Sequence, residues 1–511
     1  MRRDWSAKNL FLTPERSLKR KIQELVVALW LEHKFRKDQI LALYLNRVYL
    51  GNGTWGMDAA ARRYFDRSAR TLNLYQSALL AGLLKAPSRY NPQNDAVLSH
   101  QRTSQVLANM VMAGVLSQKE ADQALKEGPN SVKRISHTGR YFADWVHDQV
   151  DPYTAEGRDI VVQTTLDMAL QAKAEDILEN ALKEDAAKKN VSQGAIIVMS
   201  PNGAIRAMVG GRRYSQSQFN RAVQGFRQPG SAFKPMVWLT AVENGFSPDD
   251  LVQDSPIVSG KYRPSNYSGS YEGPISLRRA FAKSSNVAAV RLIEDIGPGK
   301  VIQTSQRLGV SSPLRRESSL ALGASEVNLL ELTAAYATFA NDGYAVLPHA
   351  YAVIADPMGN VIYQRQNPGM DRAIGRAALA AMTDMFSAVI SSGTGRSAAI
   401  GRPAGGKSGT TQDYRDAWFI GFTADYVCGV WVGNDDNAPM KNVTGGAMPA
   451  KIWRDVMKIA HQGLAATPLP GSLPATVDEA RGPTPLTPPS PKARPAPEDS
   501  IWDNLVKMLG G

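Results

Sequence analysis

Ser231 and Lys234 stand three apart in Ser231-Ala232-Phe233-Lys234, directly after the turn-forming Gln228-Pro229-Gly230. Where a turn enters a helix, positions three apart share a face, so the Lys234 amine can reach the Ser231 hydroxyl. A serine at neutral pH is a poor nucleophile and needs an adjacent base. Lys234 can be that base only if its pKa falls from about 10.4 by roughly three units, which burial and a second nearby cation both promote. The helix N-terminus favours negative charge developing on the serine. Alone, an S-x-x-K pair describes a solvated serine and lysine equally well.

Two further segments change that balance. Ser284-Ser285-Asn286 precedes an apolar helix over 287–296, and Gly405-Gly406-Lys407-Ser408-Gly409-Thr410-Thr411 follows, with Lys407 lying 123 residues after Ser284. Singly, Ser-Ser-Asn is an ordinary helix N-cap and Lys-Ser-Gly-Thr an ordinary loop. Together they stand in the order S-x-x-K, S-x-N, K-[ST]-G of serine penicillin-recognising enzymes, whose chemistry is acyl transfer through a serine ester.

The elements that would position these residues are legible around them. Ala195 to Met199 and Ala204 to Val209, joined by Pro201-Asn202-Gly203, read as a β-hairpin, and Ala417 to Thr423 with Tyr426 to Val432 as another β pair. A helix is expected near Ala450 to Gln462. The chain before residue 128 reads as helical: Leu18, Ile22, Leu25 and Leu29 share one face, and Ile40, Leu41, Tyr44, Leu45 and Val48 repeat the pattern. A β-rich stretch at Ile160 and a helix from Leu166 to Lys183 read as a connector. Residues 468–497 hold 10 of the 30 prolines, which predicts an extended tail.

With 511 residues and 43% apolar content, the chain has material for more than one core, which excludes a lone binding module or a disordered chain. The formal charge is +12, of which residues 1–70 supply 15 basic and 7 acidic side chains. That concentration points to a local anionic partner and not to a uniformly basic, nucleic-acid-binding protein. Cys428 is the sole cysteine, and none of the six histidines falls at metal-ligand spacing, so neither a disulfide nor a transition-metal site is expected. No apolar run approaches the roughly 18 residues that span a bilayer, and Asp4 and Lys8 interrupt any signal peptide.

Residues 190–460 resemble the transpeptidase domain of class A penicillin-binding proteins. The likeness rests on Arg227-Gln228-Pro229-Gly230-Ser231, Ala335-Tyr336, Asn341-Asp342-Gly343, Gly393-Thr394-Gly395 and Asp416-Ala417-Trp418-Phe419 beside the three motifs. It implies a β-lactamase-like antiparallel sheet flanked by helices. It also implies that Ser231 attacks the D-Ala-D-Ala amide of a peptidoglycan stem peptide while Lys234 takes its proton. Ser284 and Asn286 would relay the proton to the leaving amine and hold the peptide. Lys407, Ser408, Gly409, Thr410 and Thr411 would form an edge strand that binds the terminal carboxylate, Gly409 leaving room for the substrate backbone. The N–H groups of Ser231 and Thr410 would form the oxyanion hole. Transpeptidation needs no cofactor. Between the second and third motifs no E-x-x-L-N of the class A β-lactamase type occurs: Glu317-Ser318-Ser319-Leu320 runs into Ala321, and Glu326-Val327-Asn328-Leu329 into Leu330. Penicillin is therefore expected to trap the enzyme and not to be turned over.

The first 110 residues resemble the C-terminal part of the lysozyme-like, all-α glycosyltransferase domain of the same family. Matching stretches include Pro14-Glu15-Arg16-Ser17-Leu18, Arg20-Lys21-Ile22-Gln23-Glu24, Tyr44-Leu45-Asn46 and Lys85-Ala86-Pro87. The resemblance implies that Lys8, Arg16 and Lys21 contact lipid II and that Glu24 is the second functional carboxylate, with a divalent cation such as Mg²⁺ serving an intact domain. The family's leading E-D-x-x-F motif, with its general-base glutamate, is not found ahead of Lys8-Asn9, so glycan polymerisation and tight packing of this remnant are not expected. The expected organisation is multidomain, α and α/β: a partial glycosyltransferase domain (1–115), a connector (116–189), a transpeptidase domain (190–463) and a tail (464–511). The resemblance implies work at the periplasmic face of the bacterial inner membrane, whereas no signal or membrane anchor is expected in this chain as written. A D,D-carboxypeptidase and a non-catalytic cell-wall-binding fragment stand as alternatives.

Overall fold

The computed structural model describes residues 29–51, 54–93, 95–128, 138–154, 159–258, 263–366 and 370–472. Lys8, Arg16, Lys21, Glu24, the apolar face from Leu18 to Leu25 and the proline-rich tail beyond residue 472 lie outside them. The chain divides into two compact units, residues 1–136 and 137–511. Among the described residues no helix is long and apolar enough to cross a membrane.

The first unit is helical. Its helices Leu74–Leu83, Ala96–Met112 and Gln118–Glu127 each begin where a side chain, Asn73, Asp95 or Ser117, accepts a backbone N–H of the first turn. Tyr64, Ala60, Leu50 and Leu107 are fully buried between them, so the packing is closer than the resemblance alone implied. The helix Lys37–Arg47 is the exception and buries none of its residues.

Ten strands lie among the described residues of the second unit: β1 (Val161–Thr164), β2 (Gln193–Met199), β3 (Ile205–Val209), β4 (Leu251–Asp254), β5 (Gly273–Ser276), β6 (Tyr351–Ala355), β7 (Val361–Gln364), β8 (Gly405–Thr410), β9 (Asp416–Phe422) and β10 (Val427–Gly433). Five form an antiparallel sheet in the order β3-β2-β10-β9-β8, which leaves β8 on an edge. Its central strands β2, β9 and β10 run apolar without alternation because both faces are covered, whereas the edge strand β8 is polar. Ala195, Ile197, Trp418 and Ile420 face one cluster with the helices Lys234–Glu243, Leu329–Ala340 and Arg376–Ser391. Ile196, Val198, Phe419 and Val430 face the other, with Leu178 and Leu182 of the helix Met168–Lys189 and Trp453 and Val456 of Met448–Ala460.

Residues 116–189 are not a free-standing connector. Ala121 and Ala124 pack into the first unit, whereas Leu170, Ala174, Leu178 and Leu182, spaced by four on one helix face, are buried against the sheet. The tail likewise starts later than 464, because Leu469 is buried and Thr383 Oγ1 donates to the Pro470 carbonyl at 2.8 Å. In both places a short apolar spacing holds the chain to a core although the surrounding composition is polar or proline-rich.

Candidate active site

The turn that carries Ser231 is wedged between the sheet and a central helix. Trp418 Nε1, from β9, donates to Gln228 O at 2.9 Å, and Tyr336 Oη donates to Ala232 O at 2.6 Å. Gly230 has φ +56°, a conformation that favours glycine, and the chain then forms a 3-10 turn over Gly230–Phe233. The α-helix starts at Lys234 and buries eight of its ten residues, Lys234 to Ala241, so it is apolar all round. Ser231 is half-buried at its mouth, and Lys234 is completely buried.

The second motif splits between two jobs. Ser284 ends the helix Leu277–Lys283 in the left-handed region, at φ 61° and ψ 41°. Such backbone is unusual for a side-chain-bearing residue and gathers at functional sites. Ser285 is the N-cap of the helix Asn286–Ile296, its Oγ accepting from Ala288 N at 3.1 Å. The ordinary N-cap reading of this motif therefore fits Ser285, while Ser284 is the left-handed C-cap of the preceding helix through its backbone N–H, which donates to Phe281 O at 3.0 Å, and its hydroxyl serves neither cap.

Two buried lysines converge on Ser284. Lys407 Nζ donates to Ser284 Oγ at 2.8 Å and to Ser408 O at 3.2 Å. Lys234 Nζ donates to Ser284 O at 2.7 Å, Ser285 O at 3.0 Å and Asn286 Oδ1 at 2.7 Å, and lies 3.3 Å from Ser284 Oγ. The direct Lys234 to Ser231 hydroxyl bond expected from the spacing is not formed, because the acceptors of the second motif take the amine. Burial depresses both lysines: Lys407 falls to about 7, and Lys234 well below the usual lysine range, through desolvation first and the Lys407 charge second. Among the described residues no carboxylate hydrogen-bonds to Ser231, Lys234, Ser284 or Lys407.

The third motif is the edge strand β8. Thr411 N donates to Asp416 O at 3.0 Å, so the neighbouring pair Thr410 and Ala417 is the non-hydrogen-bonded one and the Thr410 N–H points off the open edge. Ser408 Oγ meets Thr394 Oγ1 at 2.7 Å, and Thr410 Oγ1 accepts from Gly445 N at 3.0 Å. Thr411 Oγ1 accepts from Asp416 N at 2.8 Å, so that hydroxyl is committed to β9 and stands apart from the lysine pair. The room that Gly409 leaves is filled by the protein itself. A β-carbon there would lie 2.2 Å from the Pro229 carbonyl oxygen, so this glycine lets the Ser231 turn press onto the strand.

Lys234, Ser284, Asn286 and Lys407 are thus joined from three distant segments, with Ser231 in the 3-10 turn immediately before Lys234. Sequence reasoning missed Asp254 and Asn266 behind them, and gave no role to Thr394 or Tyr336. Asn266 accepts from Asn286 N at 2.9 Å and donates to Asp254 Oδ1 at 2.7 Å. The single clue was Asn266 standing in a polar segment of irregular pattern.

Comparison with known proteins gives the family. Residues 6–111 match the family described as Transglycosylase, and residues 194–458 match the penicillin binding protein transpeptidase domain. Penicillin-binding protein 1A of Aquifex aeolicus is 33% identical over 89% of this chain and 75% of its own. Penicillin-binding protein 2D of Bacillus subtilis is also 33% identical, over 89% of this chain and 69% of its own. The crystal structure of penicillin-binding protein 1A from Haemophilus influenzae superposes with a TM-score of 0.65 at 25% identity, covering 92% of this chain and 89% of that one. The chain belongs to the class A penicillin-binding proteins, with a transglycosylase-type first unit and a transpeptidase-type second.

Proposed function

We propose that this chain is a peptidoglycan D,D-transpeptidase working through an acyl-enzyme on Ser231. The observation that carries the reading is the convergence of Lys234 and Lys407 on Ser284 Oγ, at 3.3 and 2.8 Å, beside the half-buried Ser231. Neutral Lys234 accepts the Ser231 proton as Oγ bonds to the carbonyl carbon of the D-Ala-D-Ala amide. Base function requires its lone pair to turn toward Ser231, and such bonds commonly tighten only once substrate is bound. With two amines donating to it, Ser284 Oγ keeps its own proton to give away, and that proton goes to the departing nitrogen as the C–N bond breaks. Lys234 then returns the proton to Ser284. The amine of a second stem peptide attacks the ester, and Ser231 recovers its proton from that amine.

Lys407 with Ser408 and Thr410 would hold the terminal carboxylate, and the N–H groups of Ser231 and Thr410 the developing oxyanion. Rapid hydrolysis would need a carboxylate to activate water, and none among the described residues bonds to this set, which favours an amine acceptor and long-lived penicilloyl-enzyme. The partners are peptidoglycan stem peptides and β-lactams, with lipid II facing the basic first unit at the periplasmic surface of the membrane. Labelled penicillin should attach at one equivalent per chain, and stoichiometric labelling that survives Ser231→Ala would sink the reading. Product analysis with and without an acceptor amine separates transfer from carboxypeptidase action.

A further inference from the structure

Asp254, at the end of β4, is a buried carboxylate with every oxygen in use. Oδ1 accepts from Ser285 Oγ at 2.6 Å and Asn266 Nδ2 at 2.7 Å, and Oδ2 accepts from Glu272 N at 2.9 Å. Asn266 then passes the order on, because its Oδ1 accepts from Asn286 N at 2.9 Å. Asn286 Oδ1 in turn accepts from Lys234 Nζ at 2.7 Å, so Asn266 with Asn286 is one bridge from the carboxylate to the amine, and Ser285, whose Oγ donates to Asp254 and whose carbonyl accepts from Lys234 Nζ at 3.0 Å, is a second.

The charges around this chain of bonds are few. Lys234 is faced by Lys407 from β8, which disfavours its proton, and by Asp254 from β4, which favours it. Beside Asp254, the Arg291 guanidinium is fastened to the carbonyls of Gln253, Ser255 and Pro256, and the Glu272 carboxylate is held by Arg279 and Lys283. Two cations in one dry pocket repel and are costly to desolvate, and a buried carboxylate nearby offsets part of that cost.

We propose that Asp254 is a positioning residue for acylation: through Asn266 and Ser285 it fixes Asn286 and Ser284 against the lysine pair, and its negative charge is the pair's internal counterion. The proposal rests on the reading of Ser231 as nucleophile and Lys234 as base, and it adds a residue outside all three motifs.

The test is the acylation rate of the full chain by a fluorescent penicillin across about pH 5 to 10, where a lysine base produces a rising limb. Wild type, Asp254→Asn and Asn266→Ala are compared, with Ser231→Ala as control. Removing an opposite charge favours neutral Lys234, so in Asp254→Asn the limb should move to lower pH by roughly one unit. Its plateau should fall roughly tenfold as Asn286 loosens. Asn266→Ala keeps the carboxylate, so its plateau should fall with little movement of the limb. An Asp254→Asn limb that stays in place, or moves to higher pH, overturns the proposal whatever the plateau does. Should Asp254→Asn fail to fold by circular dichroism, Asn266→Ala decides: a lowered plateau supports the proposal and a wild-type plateau overturns it. Labelling retained by Ser231→Ala would bring down the Ser231 reading instead, which keeps the two failures apart.

Discussion

Lys407 Nζ donates to Ser284 Oγ at 2.8 Å across 123 residues of sequence, in a pocket where both the amine and its neighbour Lys234 are wholly buried. This bond joins the edge strand to the turn between two helices, and it ties stability to acidity. Lys407 titrates at about 7 in the folded protein, against about 10.4 in an unfolded chain. Between those values the unfolded state binds more protons, so raising the pH through this window stabilises the fold, and below about 7 the full penalty of burying the charge is felt.

Replacing Lys407 by methionine should therefore raise the thermal midpoint at neutral pH, with the gain shrinking toward pH 10, while acylation is lost. It also removes the cation that depresses Lys234, so any residual acylation limb moves to higher pH. Melting curves at neutral and alkaline pH, with the penicillin assay alongside, check both halves. A methionine variant melting lower than wild type at neutral pH would contradict the assignment of Lys407 as a stability cost.

Gly409→Ala should damage acylation far more than its single methyl suggests. The added carbon would stand 2.2 Å from the Pro229 carbonyl oxygen, and backbone cannot step aside as a side chain can. We expect the Ser231 turn to be displaced, with acylation falling about a hundredfold or more and stability by about 1–3 kcal/mol. Gly245→Ala is the comparison: its φ is +100° but nothing lies within 4 Å. It should cost about 1 kcal/mol through backbone strain and leave the acylation rate alone.

Tyr336→Phe removes the phenol that donates to Ala232 O at 2.6 Å inside the core. A drop of about 1 kcal/mol in unfolding free energy, read from urea denaturation, is expected. The acylation rate should fall modestly, because the turn that carries Ser231 loses one of its two side-chain props. An unchanged rate with full loss of stability would confine Tyr336 to a packing role.

Cys428 lies on β10, buried on the sheet face covered by the helices Met168–Lys189 and Met448–Ala460, and burial pushes its thiol pKa up. It should resist thiol reagents in the native protein and react at one equivalent per chain in denaturant. Rapid native labelling would mean that this face of the sheet opens.

The readable part of the sequence is the part in which physics repeats. Uninterrupted apolar runs such as Ala195-Ile196-Ile197-Val198-Met199 announced strands, and β2, β9 and β10 lie close to where those runs fall. The three motifs were legible because serine, lysine and asparagine at fixed short spacings have a joint chemical meaning. What escaped was set by distant contacts. Lys234 turns to Ser284 and Asn286, which no local spacing encodes. Asp254 ends the short strand β4 and Asn266 lies in irregular backbone, so only the fold shows that they meet Ser285 and Asn286. The helix Met168–Lys189 read as a connector because its neighbours in the chain are polar, although its face at Leu170, Ala174, Leu178 and Leu182 belongs to the sheet.

The left-handed backbone at Ser284 sets two evolutionary pressures against each other. Glycine would relax there, gaining about 1 kcal/mol, and would at once delete the oxygen on which Lys407 and Lys234 converge. A laboratory population selected for heat resistance alone should drift toward glycine at this position, whereas one selected for wall synthesis should keep serine and gather its stability elsewhere in the chain.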